Sequence, residues 1–148
     1  MKVDYSTFEE DESLYGKVNI IDGESEIKIS VELEPNYEME VTEATKKSFE
    51  FFLDNYEKYK KAVLVPIMNY YGQCRSEWGK SVLPEEITDV KKIETMISLR
   101  SIVVHDVERE GKNAIILYYN STWDKEEGMG VSMKEFEVLE VGTQGSIK

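Results

Sequence analysis

Ile27-Lys28-Ile29-Ser30-Val31-Glu32-Leu33-Glu34-Pro35 decides the fold. Apolar and polar side chains alternate through it with a period of two, the pattern of a strand with one face on a core and the other in water. Pro35 ends the strand. Just upstream, residues 14–21 read as a second strand, and Asp22-Gly23 supplies the turn that folds one back on the other. The segment before them, Phe8-Glu9-Glu10-Asp11-Glu12-Ser13, is polar and unpatterned and reads as a surface lead-in.

Downstream of Pro35 the period changes. Ala44, Phe49, Phe52, Leu53, Tyr56, Tyr59 and Val63 recur at helical spacing and predict one apolar helix face, with Thr42 as N-cap and Glu43 in the first turn. Residues 62–71 are apolar enough for a second buried helix, and Pro66 is expected to kink or break it. Gly72 and Gly79 bracket a polar stretch holding Cys74, Arg75 and Trp78, and Pro84 closes a loop. Thr88 is expected to cap a short helix over 89–97, with Val90, Ile93, Met96 and Ile97 turned inward. The last third reads as a four-strand meander over 101–108, 113–120, 129–133 and 136–141, with hairpin loops at 109–112 and at Lys134-Glu135. The order predicts an α+β fold: N-terminal β-hairpin, central helices, C-terminal antiparallel β-meander, and helices on one face of an antiparallel sheet.

Charge is unevenly placed. The first 57 residues hold 16 of the 30 acids and 5 of the 18 basic residues, a balance of −11 out of a net −12 for all 148 residues. Such a field repels nucleic acid and anionic membrane and attracts cations or basic proteins. No apolar run approaches the roughly 20 residues of a membrane-spanning helix. A length of 148 residues, 41% hydrophobic, fits a single domain over 1–148. The one cysteine, Cys74, has no intramolecular partner, and the start has no signal-peptide pattern, so a cytoplasmic setting is expected.

Motifs for phosphate binding, serine hydrolysis, dithiol redox chemistry and zinc proteolysis are absent. No catalytic residue, metal or cofactor is therefore assigned. His105 lies on a strand without an orienting partner in the sequence and reads as packed rather than catalytic. Cys74 beside Arg75 could form a reactive thiolate, but it reads better as a buried thiol.

The most distinctive local sequence is Ser121-Thr122-Trp123-Asp124-Lys125-Glu126-Glu127-Gly128-Met129-Gly130-Val131. It resembles small bacterial domains of unknown function that carry a Trp-Asp-x-Glu-His-Gly-Leu-Gly-Val loop after an apolar strand and finish a later strand with Val-Gly-x-x. Trp123, Asp124, Glu126, Gly128, Gly130 and Val131 fit, Met129 replaces the leucine, and Val141-Gly142-Thr143-Gln144 fits the ending. The Tyr70-Tyr71 pair is also similar. Glu127 stands where such loops carry histidine, so a role hung on that histidine does not transfer. The resemblance implies an α+β fold and a bacterial cytoplasmic origin, and no activity, although some small acidic domains of this kind sit beside toxins as immunity proteins.

Two function classes follow. The first is a non-catalytic protein-binding module, in its narrower form an immunity-type inhibitor, with Glu32, Glu34, Glu38, Glu40 and Glu43 facing a basic protein and Tyr37 as an anchor among them. Tyr5, Tyr15, Tyr70, Tyr71 and Trp78 are further candidate anchors. The second is a small enzyme or cation-binding domain using Asp124, Glu126 and Glu127, whose spacing does not match an EF-hand. Homo-oligomers are open to the chain through sheet edges.

Overall fold

The computed structural model describes residues 3–106 and 114–147. Among these a short 3-10 turn, Tyr5–Thr7, precedes strands β1 (Glu9–Asp11), β2 (Ser13–Asp22) and β3 (Ser25–Leu33). Helices α1 (Glu43–Asp54), α2 (Tyr56–Trp78) and α3 (Val90–Met96) follow. Strands β4 (Ile97–Val104), β5 (Ile115–Ser121), β6 (Met129–Lys134) and β7 (Glu137–Thr143) complete one seven-stranded sheet in sequential order. The fold is α+β.

The decisive stretch behaves as its period predicts: Ile29, Val31 and Leu33 are buried, whereas Lys28 and Ser30 are exposed. Register carries the buried side across the sheet, since Val31 lies opposite Ile102, Ile102 opposite Leu117, and Leu117 opposite Val131. These residues pack with Phe49, Phe52, Tyr59, Val63, Ile67 and Ile93 in one cluster, so the helices cover one face.

Several expectations need correction. The sheet is mixed rather than antiparallel, because β3 and β4 pair in parallel from Ser30–Ser101 to Leu33–Val104. A parallel pair needs a long crossover, and all three helices lie in that connection. Phe8 to Ser13 is no plain lead-in, because β1 pairs with β2 through Glu9–Tyr15 and Asp11–Ser13. The long helix breaks at Asn55 instead of Pro66. The Asn55 amide takes the Phe51 carbonyl at 2.9 Å, offering the chain a local alternative to the next helical bond. Pro66 lies inside α2, half-exposed, where one lost backbone bond is cheaper than in a dry core. Helix α2 also takes in Gly72, Cys74, Arg75 and Trp78, so the loop starts only at Gly79.

Asp89, not Thr88, caps α3 by accepting from Lys91 N–H at 3.0 Å. Strand β4 begins at Ile97, straight after α3. The expected hairpin loop 109–112, with the strand ends at 107–108 and 113, lies outside the described residues. No helix among the described residues is long and apolar enough to cross a membrane.

Gly128 closes the β5–β6 connection at φ +66°, and a Cβ there would lie 2.9 Å from the Tyr119 carbonyl oxygen. Both backbone conformation and space exclude a side chain. Gly128→Ala is expected to lower stability by about 2 kcal/mol in urea unfolding. Gly145→Ala, with open space around the position, should stay within about 0.5 kcal/mol of wild type.

Candidate functional site

Glu34 continues β3 by one residue, donating its backbone N–H to the Val104 carbonyl at 3.0 Å. Pro35 then stops the ladder, and Asn36 organises the next turn. Its Oδ1 accepts from the backbone N–H groups of Glu38 at 2.9 Å and Glu40 at 3.0 Å, while its own N–H donates to the Glu40 carbonyl at 2.8 Å. An Asx-organised turn of this kind needs no packed core behind it. It leaves Tyr37 76% and Met39 57% exposed.

Beside this turn, a single residue, Glu12, reverses the chain between β1 and β2 at φ +63°. Glu12, Glu32 and Glu34, together with Ser13, Tyr37 and Met39, line a cavity of about 320 Å³, with no lysine or arginine among the described residues of its wall. Two of the carboxylates are held by neighbours. Ser13 Oγ donates to Glu32 Oε2 at 3.0 Å, and His105 Nδ1 lies 2.8 Å from Glu34 Oε2. A carboxylate can only accept, so Nδ1 carries the proton in that bond. His105 thus has an orienting partner that sequence alone did not reveal. Its Nε2 is buried and has no hydrogen-bond partner among the described residues.

The field of these acids reaches Tyr118, across the sheet on the same face. Burial pushes its hydroxyl pKa up first, Glu32 and Glu34 add to the rise, and Arg100 opposes it. The arrangement can accept hydrogen bonds from a cation and offer it an aromatic side chain at the rim.

Of the six residues expected to face a partner, the structure brings Glu32, Glu34 and Tyr37 together in this cavity. Glu38 and Glu40 project from the adjoining turn as exposed residues. Glu43 stands apart in the first turn of α1, its side chain 81% exposed and 3.6 Å from Lys46. Sequence reasoning missed Glu12 and Met39, for which no turn signature exists, and it also missed Asp106. Fully buried, Asp106 accepts from Thr45 Oγ1 at 3.4 Å and from Thr42 Oγ1 at 3.5 Å. It thereby ties the end of β4 to the start of α1. The alternation of Val104 and Asp106 on one side of β4 was the available signal.

The Trp123 loop lies at the other end of the sheet. Strand β5 starts at Ile115 opposite Val104 and ends at Ser121 opposite Ile97, about 20 Å away at strand rise. Within that loop Asp124 bonds its own backbone: its Oδ1 accepts from Glu127 N–H at 3.1 Å and its carbonyl from Gly128 N–H at 3.1 Å. Trp123 packs edge-on against Tyr71 with ring centroids 5.2 Å apart. Gly130 leaves room for Ile147, which a Cβ would approach to 3.0 Å. Glu126 and Glu127 are exposed. No group of three or more His, Cys, Asp or Glu side chains converges as metal ligands would among the described residues. Cys74 is buried beside this loop, and burial raises its thiol pKa while hydrogen bonds with Tyr70 and Trp123 pull the other way. Arg75 turns instead to the Leu83 and Pro84 carbonyls.

Residues 3–147 match the family described as a domain of unknown function, DUF6985, and the chain belongs to that family. No curated protein and no solved structure matches it.

Asp106→Ala should cost about 2 to 3 kcal/mol in urea unfolding, because it leaves the buried Thr45 hydroxyl without its acceptor. Cys74 should react with a maleimide at pH 8 far more slowly in the folded chain than in urea, since its raised pKa keeps the thiol protonated and burial blocks access.

Proposed function

We propose that this member of the DUF6985 family is a non-catalytic protein-binding module that takes a basic segment of a partner protein into the acidic pocket at the end of β3. In its narrower form it is an immunity-type inhibitor that covers the basic substrate-binding surface of a toxin such as a nuclease. The observation that carries this reading is the pocket wall: the carboxylates of Glu12, Glu32 and Glu34 meet there, with no lysine or arginine among the described residues that line it, under the exposed Tyr37 and Met39. A guanidinium or ammonium group entering there exchanges water for carboxylate oxygens and the face of Tyr37. Met39 adds an adaptable apolar contact. Because Ser13 and His105 already hold Glu32 and Glu34, little side-chain entropy is left to lose on binding.

Charge favours the same class of partner. The first 57 residues carry −11, and that field speeds encounter with a basic surface and disfavours acidic ones. The reading takes the whole chain as one domain and sets it in a bacterial cytoplasm, on the strength of the loop resemblance and the single free cysteine. At the alternative site Asp124 turns its carboxylate onto its own loop, and Asp124, Glu126 and Glu127 form no metal-ligand cluster among the described residues.

The test is capture from the protein's own cell lysate at low and high salt, with retained proteins identified by mass spectrometry. A basic protein held at low salt and released at high salt is expected. A triple variant, Glu12→Gln, Glu32→Gln and Glu34→Gln, should weaken its binding about tenfold or more, or roughly 1.4 kcal/mol, and Tyr37→Ala should weaken it too. Glu126→Gln with Glu127→Gln, at the far end of the sheet, should change nothing. Equal retention by all variants, or no basic protein at either salt, would sink the reading.

A further inference from the structure

A second cavity lies beside the acidic pocket, on the same face of the sheet. Val31 and Leu33 are buried with the helices, so Ser30, Glu32 and Glu34 lie on the face opposite them. Tyr15 stands opposite Glu32, Lys17 opposite Ser30 and Glu9 opposite Tyr15, which puts all of these residues on that face. Thr7, Glu9, Tyr15, Lys17 and Ser30 line a cavity of about 470 Å³, with Gly16 and Val31 in its floor. Ser13 and Glu32, in the wall of the acidic pocket, are each two residues along their strands from Tyr15 and Ser30. The cavities are therefore neighbours, with the Tyr15–Glu32 pair between them.

Their chemistry differs. The acidic pocket gathers Glu12, Glu32 and Glu34 and favours a cation. The second cavity has one acid, Glu9, and one base, Lys17, among the described residues of its wall, so a charge of either sign meets one attraction and one repulsion. The charged groups around it do not enter that wall. Asp11 stands opposite Ser13, on the side of the acidic pocket. Lys28, Glu26 and Glu24 lie farther along toward the β2–β3 turn, and Arg100 on β4 is engaged by Asn120 and Gln144. In place of net charge the cavity offers the ring of Tyr15, 41% exposed, the methyl group of Thr7 and the aliphatic stem of Lys17.

We propose that this cavity is a second subsite for the same partner and takes a neutral aromatic side chain three residues from the basic one. The inference rests on the reading of the acidic pocket as the seat of a basic side chain. From Leu33, between Glu32 and Glu34, to Ser30 is a run of strand about 10 Å long. An extended segment in the polyproline II form returns to the same side at every third residue, about 9 Å on. One such segment laid along β3 seats both side chains at once. The partner's ring packs on Tyr15 and against the Lys17 ammonium, an arrangement that a lysine or an aspartate in its place does not reproduce. Once the basic side chain is seated, the second contact forms within the complex, so the pair binds more tightly than either alone. A basic surface without the aromatic residue is held by the first pocket only, which gives the chain a means of choosing among basic partners.

Amide NMR titration of the full chain with short glycine–serine peptides tests the proposal. The peptides carry arginine alone, or arginine followed three residues later by tryptophan, lysine or aspartate. The arginine–tryptophan peptide should bind roughly tenfold more tightly than arginine alone, and the lysine and aspartate peptides no more tightly. Tyr15→Ala should remove the advantage of tryptophan and leave the binding of arginine alone unchanged. Lys17→Glu, which makes the second cavity acidic, should raise the affinity of the arginine–lysine peptide, a gain that a misfolded variant could not give. Equal affinities for arginine alone and arginine–tryptophan, a tryptophan advantage that survives Tyr15→Ala, or an arginine–lysine peptide that gains nothing from Lys17→Glu would each overturn the inference and leave the acidic-pocket reading standing. An arginine peptide that binds no better than plain glycine–serine, or that binds the triple variant Glu12→Gln, Glu32→Gln and Glu34→Gln equally well, would overturn that reading and this inference with it.

Discussion

The parallel contact between β3 and β4 is the constraint on which the rest of the structure depends. Remove the four pairs from Ser30–Ser101 to Leu33–Val104 and the sheet falls into an N-terminal hairpin with its short edge strand and a C-terminal meander. Each would then expose one flat apolar side. Parallel pairing forces the chain to return along the sheet before it can start β4, and the return is made by three helices that bury that side. The same contact assembles the candidate site. Its carboxyl end places Glu34 beside His105 and carries Asp106 to the hydroxyls of Thr42 and Thr45 at the start of α1. Polar groups from the hairpin, the meander and the first helix therefore meet within a few residues of Leu33.

That contact was the least legible part of the fold. The alternation of Ile27, Ile29, Val31 and Leu33 fixes which face of β3 is buried, but a strand reads the same whether its neighbour runs with it or against it. The helical face over Phe49 to Val63 was readable because burial imposes the spacing. The break at Asn55 was not, because α1 and α2 face one core and the apolar pattern runs on through both. Strand β1 escaped notice since its three residues are all acidic, as suits an edge strand that must not recruit others. At the site, Glu32, Glu34 and Tyr37 stood out as charges and an aromatic beside a strand end. Glu12 reaches them only through a one-residue reversal, and Met39 only through the turn that Asn36 organises, and neither leaves a mark in composition or period.

The two ends of the sheet differ in how they use their polar groups. At the Trp123 end, Asp124 turns its carboxylate and carbonyl back on its own loop, and the Cys74 thiol lies buried with Tyr70 and Trp123 around it. Those groups stabilise a connection. At the Leu33 end the carboxylates of Glu12, Glu32 and Glu34 line a cavity instead, with Ser13 donating to Glu32 and His105 beside Glu34.

Backbone strain is distributed in the same way. Non-glycine residues pay for positive φ, at about 1 kcal/mol or more each. Among the described residues Glu12, Met39 and Glu135 have it. Glu135 serves the β6–β7 hairpin, where a tight turn alone accounts for it. Glu12 and Met39 come from segments far apart in sequence, yet both stand in the wall of the acidic pocket. Glycine would relieve either position, and a side chain without glutamate's charge or methionine's reach would be no more strained. Keeping a carboxylate and a thioether at two strained positions of one cavity is easier to understand if those side chains meet something outside the chain than if they only close its turns.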